Sequence, residues 1–134
     1  MVNLTWKSAG ITDVGLKRQD NQDNYHISKD ERCLVVCDGV GGETGGALAS
    51  RLAAETVETL WLSKPPDFSD ADAVETWMRR AVSEANTSVK QAADASEDKK
   101  TMGTTIVMAV IGDDGILHVA HAGDSRTTLV RDGK

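Results

Sequence analysis

The tightest constraint in this sequence is a helical periodicity. Val74, Trp77, Met78, Ala81, Val82, Ala85 and Val89 recur every 3.6 residues or so, over about four turns, and place one apolar stripe on an α-helix. Ser69 is the expected N-cap, with Asp72 three residues later as in a capping box. An earlier helix follows a loop at Gly41 to Gly46. Its apolar face carries Ala49, Leu52, Ala53, Thr56, Val57 and Leu60. Lys64-Pro65-Pro66 ends it, because proline cannot continue a helix. The polar run Asp94 to Lys100 is expected to be a mobile loop.

Strand signals flank the helices. Asn24 to Ile27 has strand character, and Cys33 to Cys37 reads as a buried strand ending in a turn at Asp38-Gly39; the two predict a hairpin. Thr104 to Ile111 is apolar on both alternating faces, as in the interior of a packed sheet. Gly112-Asp113-Asp114-Gly115 predicts a hairpin turn, Ile116 to Ala122 the return strand, and Thr127 to Arg131 one strand more. Asp132-Gly133 then signals a turn with no returning strand, which leaves an open edge. On that ground the 134-residue chain is expected to be one incomplete domain, with strand pairing through the edge near Arg131 as a consequence.

Hydrophobic residues at 40% and charged residues at 27% describe an ordinary globular chain. No apolar run is long enough for a bilayer, and residues Met1 to Lys7 lack the basic and apolar regions of a signal peptide, so a cytoplasmic location is expected. The net charge of −6 argues against nucleic acid as a partner. A phosphorylated substrate stays open, since a bound divalent ion can supply the missing positive charge. Cys33 and Cys37 share a strand face too far apart to bridge and read as reduced core residues.

Three acidic segments stand out: Arg18-Gln19-Asp20-Asn21-Gln22-Asp23, Asp38-Gly39-Val40-Gly41-Gly42 and Gly123-Asp124-Ser125-Arg126. In the latter two, an aspartate sits beside glycine after an apolar strand. Strand ends are rigid platforms, and carboxylate and carbonyl oxygens suit hard cations such as Mg²⁺ or Mn²⁺. Taken singly, each has an ordinary explanation. Asp38-Gly39 is a turn, Asp124 caps a turn, and Arg18 with Asp23 is a surface ion pair. The glycines from Gly39 to Gly46 are not a nucleotide loop, because no Gly-Lys-Ser/Thr follows.

In combination and order, Thr12-Asp13-Val14-Gly15, Arg18 with Asn21-Gln22-Asp23, Asp38-Gly39-Val40-Gly41-Gly42 with Gly45, Met102-Gly103-Thr104-Thr105 and Gly123-Asp124-Ser125-Arg126 resemble the type 2C, metal-dependent (PPM) protein phosphatases, in their bacterial form. The resemblance runs from about Gly10 to the end of the chain and implies an α+β fold, a β-sandwich flanked by helices. It implies hydrolysis of phosphoserine and phosphothreonine on proteins, opposing a protein kinase, by a hydroxide bridging two Mn²⁺ or Mg²⁺ ions. Asp38 would bridge the two ions and the Gly39 carbonyl would add a ligand. Asp23 would hold a metal-bound water and orient the nucleophile; Arg18 would clamp the phosphate; Asp124 would help hold a third, weaker ion.

Two departures qualify the expectation. The family's further metal-binding aspartates lie in a C-terminal half with no counterpart after Lys134, so the chain alone is expected to be the N-terminal portion of a phosphatase domain and inactive. Glu43 stands near where many relatives carry a histidine, and is expected to be a solvated surface residue. His26, His118 and His121 fall in strand-like segments and read as structural. The competing function is a non-catalytic module, a pseudophosphatase that binds phosphoprotein without cleaving it.

Overall fold

The structure, a computed structural model, describes residues 3–42, 44–98 and 101–134. Glu43 and the end of the polar run at 99–100 lie outside the described residues. Strands β1 (Asp23–Ile27) and β2 (Cys33–Val40) are followed by helices α1 (Gly45–Ser63) and α2 (Ala71–Asp94), then by β3 (Gly103–Thr104), β4 (Ile106–Ile111) and β5 (Leu117–Ala122). The strands form one antiparallel sheet ordered β1-β2-β4-β5, with β3 paired to the end of β2. This is the α+β class expected.

Alternation along β2 decides which way the sheet faces. Cys33, Val35 and Cys37 are buried, whereas Val36, Asp38 and Val40 are exposed. The buried side packs against α1, which lies across β1 and β2. α2 lies beside α1 and reaches β4 and β5. Val57, Val74, Met108 and Val110 complete the core between helices and sheet. An aromatic corner closes it. The Trp61 ring lies 5.3 Å from Trp77, edge-on, and the Trp77 indole N–H donates to the Lys64 carbonyl at 2.7 Å. The opposite face of the sheet leaves Tyr25, Val36, Val40, Leu117 and Val119 exposed.

Four details differ from the sequence reading. The N-cap of α2 is Asp70, not Ser69. The Ser69 hydroxyl donates to Asp67, while Asp70, in extended conformation, accepts from the Asp72 and Ala73 amides. β2 does not stop at Cys37. Asp38 and Gly39 are held in the ladder by partners on both sides, so the Asp-Gly pair is strand rather than turn. The single strand expected from Thr104 to Ile111 is broken at Thr105. Thr127 to Arg131 forms no strand, because it finds no ladder partner among the described residues, and the edge expected near Arg131 is therefore not a strand edge. The Asp132-Gly133 turn does form. Both residues have positive φ, 52° and 76°, and Arg131 and Lys134 exchange hydrogen bonds of 2.7 and 3.0 Å across it.

Candidate active site

The hairpin register builds the site. Gly39 N donates to Gln22 O at 2.9 Å, and Ser28 N donates to Cys33 O at 2.9 Å. Hydrogen-bonded pairs therefore fall at Gln22–Gly39 and every second position along the hairpin. Asp23 opposes Asp38 at a non-hydrogen-bonded position, where Cα atoms approach to about 4.5 Å and side chains share a face. The two carboxyls lie on the face away from the helices, close enough for Asp23 to raise Asp38.

The electrostatics follow from that placement. The Asp38 carboxyl is pushed above the usual carboxylate range by partial burial, by the hydrogen bond and charge of Asp23, and by the charge of Asp124; Arg18 pulls it back down. Asp38 is exposed as a residue, so the facing carboxylates describe its chemistry better than burial does. Three residues scattered over the sequence, Arg18, Asp23 and Asp124, thus act on the charge of Asp38.

Local hydrogen bonds fix each arm. The Asn21 side chain accepts from Asp23 N at 3.0 Å and donates to Thr12 Oγ1 at 2.7 Å, stitching the loop before β1 to Thr12-Asp13-Val14-Gly15. Asp13 turns that segment by accepting from Gly15 N at 2.7 Å. Gly39 sits against the first turn of α1: a Cβ there would overlap the Gly46 carbonyl and lie 2.8 Å from the Gln22 carbonyl oxygen. The absence of a side chain at Gly39 lets helix and strand end touch, directly beside Asp38.

Sequence reasoning gave Thr105, Ser125 and Asn21 no individual role, although all three lie in the motif segments. Their signal is a hydroxyl or amide next to a strand end, common enough to be silent until the register is known. His26 in β1 and His118 and His121 in β5 stay within strands, His118 buried.

Arg18, Asp20, Asp23, Asp38 and Gly39 line an open cleft of about 240 Å³ together with Asp13. The oxygen-only donors and the mutual repulsion of Asp23 and Asp38 fit a hard divalent cation, whose charge would relieve that repulsion. The carboxylates rim the cleft without closing on one point. Among the described residues no group of three or more His, Cys, Asp or Glu side chains is gathered tightly enough to hold an ion.

A family profile, Protein phosphatase 2C, matches residues 12–134. The chain belongs to this family. It is 33% identical over 123 residues to the serine/threonine phosphatase stp of Listeria monocytogenes, an alignment covering 90% of this chain and 48% of that protein. The crystal structure of the Mycobacterium tuberculosis serine/threonine phosphatase PstP/Ppp superposes with a TM-score of 0.74 at 30% identity, over 91% of this chain and 48% of that one. A PstP catalytic domain in complex with two manganese ions superposes with a TM-score of 0.76 at 31% identity, over 91% and 50% of the two chains. The chain spans about half the length of the relatives it matches. No described helix is long and apolar enough to cross a membrane.

Proposed function

We propose that this chain supplies the N-terminal half of a metal-dependent serine/threonine protein phosphatase domain, acting on phosphoserine and phosphothreonine in proteins and opposing a protein kinase. The observation that carries the reading is the register that sets Asp23 against Asp38, with Arg18 and Asp124 near enough to act on the same carboxyl. Asp38 and the Gly39 carbonyl would hold Mn²⁺ or Mg²⁺, and Asp124 would contribute to a third, weaker position. Two bound cations would supply the Lewis acidity that activates water near neutral pH.

The chain's own residues do the rest. Asp23 accepts a proton from water and orients it. Its closeness to Asp38 raises the Asp38 carboxyl, and a bound cation would offset the repulsion between the two. Arg18 offers a planar pair of donors to two phosphoryl oxygens and neutralises charge that builds on them. The cleft is open, so a phosphorylated side chain can reach it from solvent.

Because few carboxylates converge here, the chain alone is expected to have little or no activity. The same observation favours the second reading, a module that binds phosphoprotein without cleaving it. The deciding experiment pairs the chain with a polypeptide corresponding to the remaining half of its relatives and measures Mn²⁺-dependent release of phosphate from a phosphoseryl peptide. Turnover is expected from the pair, with loss on Asp38→Asn and weakening on Arg18→Ala. A silent pair that still binds the phosphopeptide would support the second reading. Turnover by the 134-residue chain alone would refute its incompleteness.

A further inference from the structure

The β2 ladder contains an irregularity at its most consequential point. β2 pairs with β4 and with β3 in one continuous register: Val36 opposes Val107 and Gly39 opposes Thr104, which puts Asp38 opposite Thr105. In a regular antiparallel pair these two residues would exchange two main-chain hydrogen bonds. Only one forms, from Thr105 N to Asp38 O at 2.9 Å. The other is displaced. Asp38 N donates instead to the Thr105 side-chain hydroxyl, at 3.0 Å, and the vacated Thr105 carbonyl accepts from the Thr104 hydroxyl at 2.8 Å. This substitution of hydroxyl for carbonyl is what breaks the strand between β3 and β4.

The same hydroxyl has a second partner. Thr105 Oγ1 lies 2.6 Å from Ser125 Oγ, the residue after Asp124. A hydroxyl that accepts from an amide still has a proton to give, so one oxygen serves both contacts. On the other side, Gly123 has φ of 103° and packs so closely that a Cβ there would lie 2.8 Å from the Thr105 methyl carbon. Thr105 therefore grips the main chain at Asp38 and both neighbours of Asp124.

We infer that Thr105 is a positioning residue that sets the spacing between Asp38 and Asp124, and through it the capacity of the two carboxylates to hold divalent cations at neighbouring positions. This deepens the proposed function and rests on it for the cation, but not for the link. Thr105 is not among the residues that line the cleft, so it acts through Asp38 and Asp124. Groups that orient metal ligands commonly change metal affinity by about 10–100-fold when removed. Valine at 105 keeps the shape and loses the hydroxyl, which strands the Asp38 N–H, because the Thr105 carbonyl is already engaged by the Thr104 hydroxyl.

The test compares Thr105→Val and Thr105→Ser in this chain, with three readouts. Thermal unfolding shows that both variants fold. Amide hydrogen exchange at Asp38, followed by NMR without metal, reads the link itself; Thr105→Val is expected to speed it at least about fivefold, and Thr105→Ser to leave it near the parent rate. Mn²⁺ binding, followed by the EPR signal of the free ion, is expected to weaken about tenfold or more in Thr105→Val and to be restored in Thr105→Ser. Unchanged Asp38 exchange in Thr105→Val, or a serine variant that behaves like the valine one, would overturn the inference. If the parent chain binds no Mn²⁺ but the exchange results hold, the metal reading fails and the positioning link stands.

Discussion

Gly39→Ala offers a sharp test of how the site is built. The added methyl would overlap the Gly46 carbonyl and sit 2.8 Å from the Gln22 carbonyl oxygen. An ordinary carbon–oxygen contact is about 3.3 Å, so the strand must part from the Gln22 loop by about half an ångström and from α1 by more. Both obstacles are backbone, which a rotamer change cannot relieve. Overpacking of this kind costs about 1–3 kcal/mol, and with two rigid neighbours the upper end applies. At about 2.1 cal/mol/K per residue of unfolding entropy, 3 kcal/mol lowers the midpoint of a chain this size by about 10 °C. Gly103→Ala is the matched control. Its Cβ would meet only Val40 Cγ1, at 3.8 Å, so its midpoint should stay within about 3 °C of the parent. Thermal unfolding followed by circular dichroism reads both. A Gly39→Ala midpoint within about 3 °C of the parent, or equal losses at the two positions, would refute the claim that Gly39 is a backbone contact point.

Three other perturbations follow. Asp70→Ala should destabilise the chain by about 1 kcal/mol in urea unfolding while Ser69→Ala does little, since only Asp70 caps α2; the reverse order would restore the capping box read from sequence. Burial pushes the Cys33 and Cys37 thiols up to about 12, so a disulfide-exchange reagent at about pH 8 should find neither until denaturant is added; rapid labelling of the folded chain would contradict their placement. Asp38→Asn should stabilise the chain at neutral pH by less than about 1 kcal/mol. The raised Asp38 carboxyl binds its proton more tightly folded than unfolded, so its ionisation destabilises the fold as pH rises through the carboxylate range. The advantage of asparagine should accordingly vanish by about pH 3, and a variant less stable than the parent at neutral pH would contradict the facing-carboxylate geometry.

Much of this was legible in the residues, for reasons that differ by element. The stripe from Val74 to Val89 marked α2 because one face of it is buried. Cys33 to Cys37 marked a strand because alternate side chains enter the core. Boundaries failed where side chains compete for backbone partners. Ser69 lost the cap to Asp70 because Asp67 engages its hydroxyl. The break at Thr105 depends on a hydroxyl displacing a carbonyl, which no periodicity reports. Thr127 to Arg131 has strand composition, but a strand exists only beside another, and composition does not supply the neighbour. For the site, the motif order pointed to Arg18, Asp23, Asp38 and Asp124. That Asp23 and Asp38 face each other became visible only with the register, and so did Thr105 bridging two of the acidic segments.

The account turns on a hard cation recognising the cleft between β1 and β2. Titrating Mn²⁺ into isotope-labelled protein and recording which amide signals broaden first tests it most directly. Asp23, Asp38, Gly39 and Asp124 should fade together at the lowest metal concentration, and should stay sharp in Asp38→Asn. Early broadening around the acidic end of α2 at Asp94, with Asp38 and Asp124 unaffected, would contradict it.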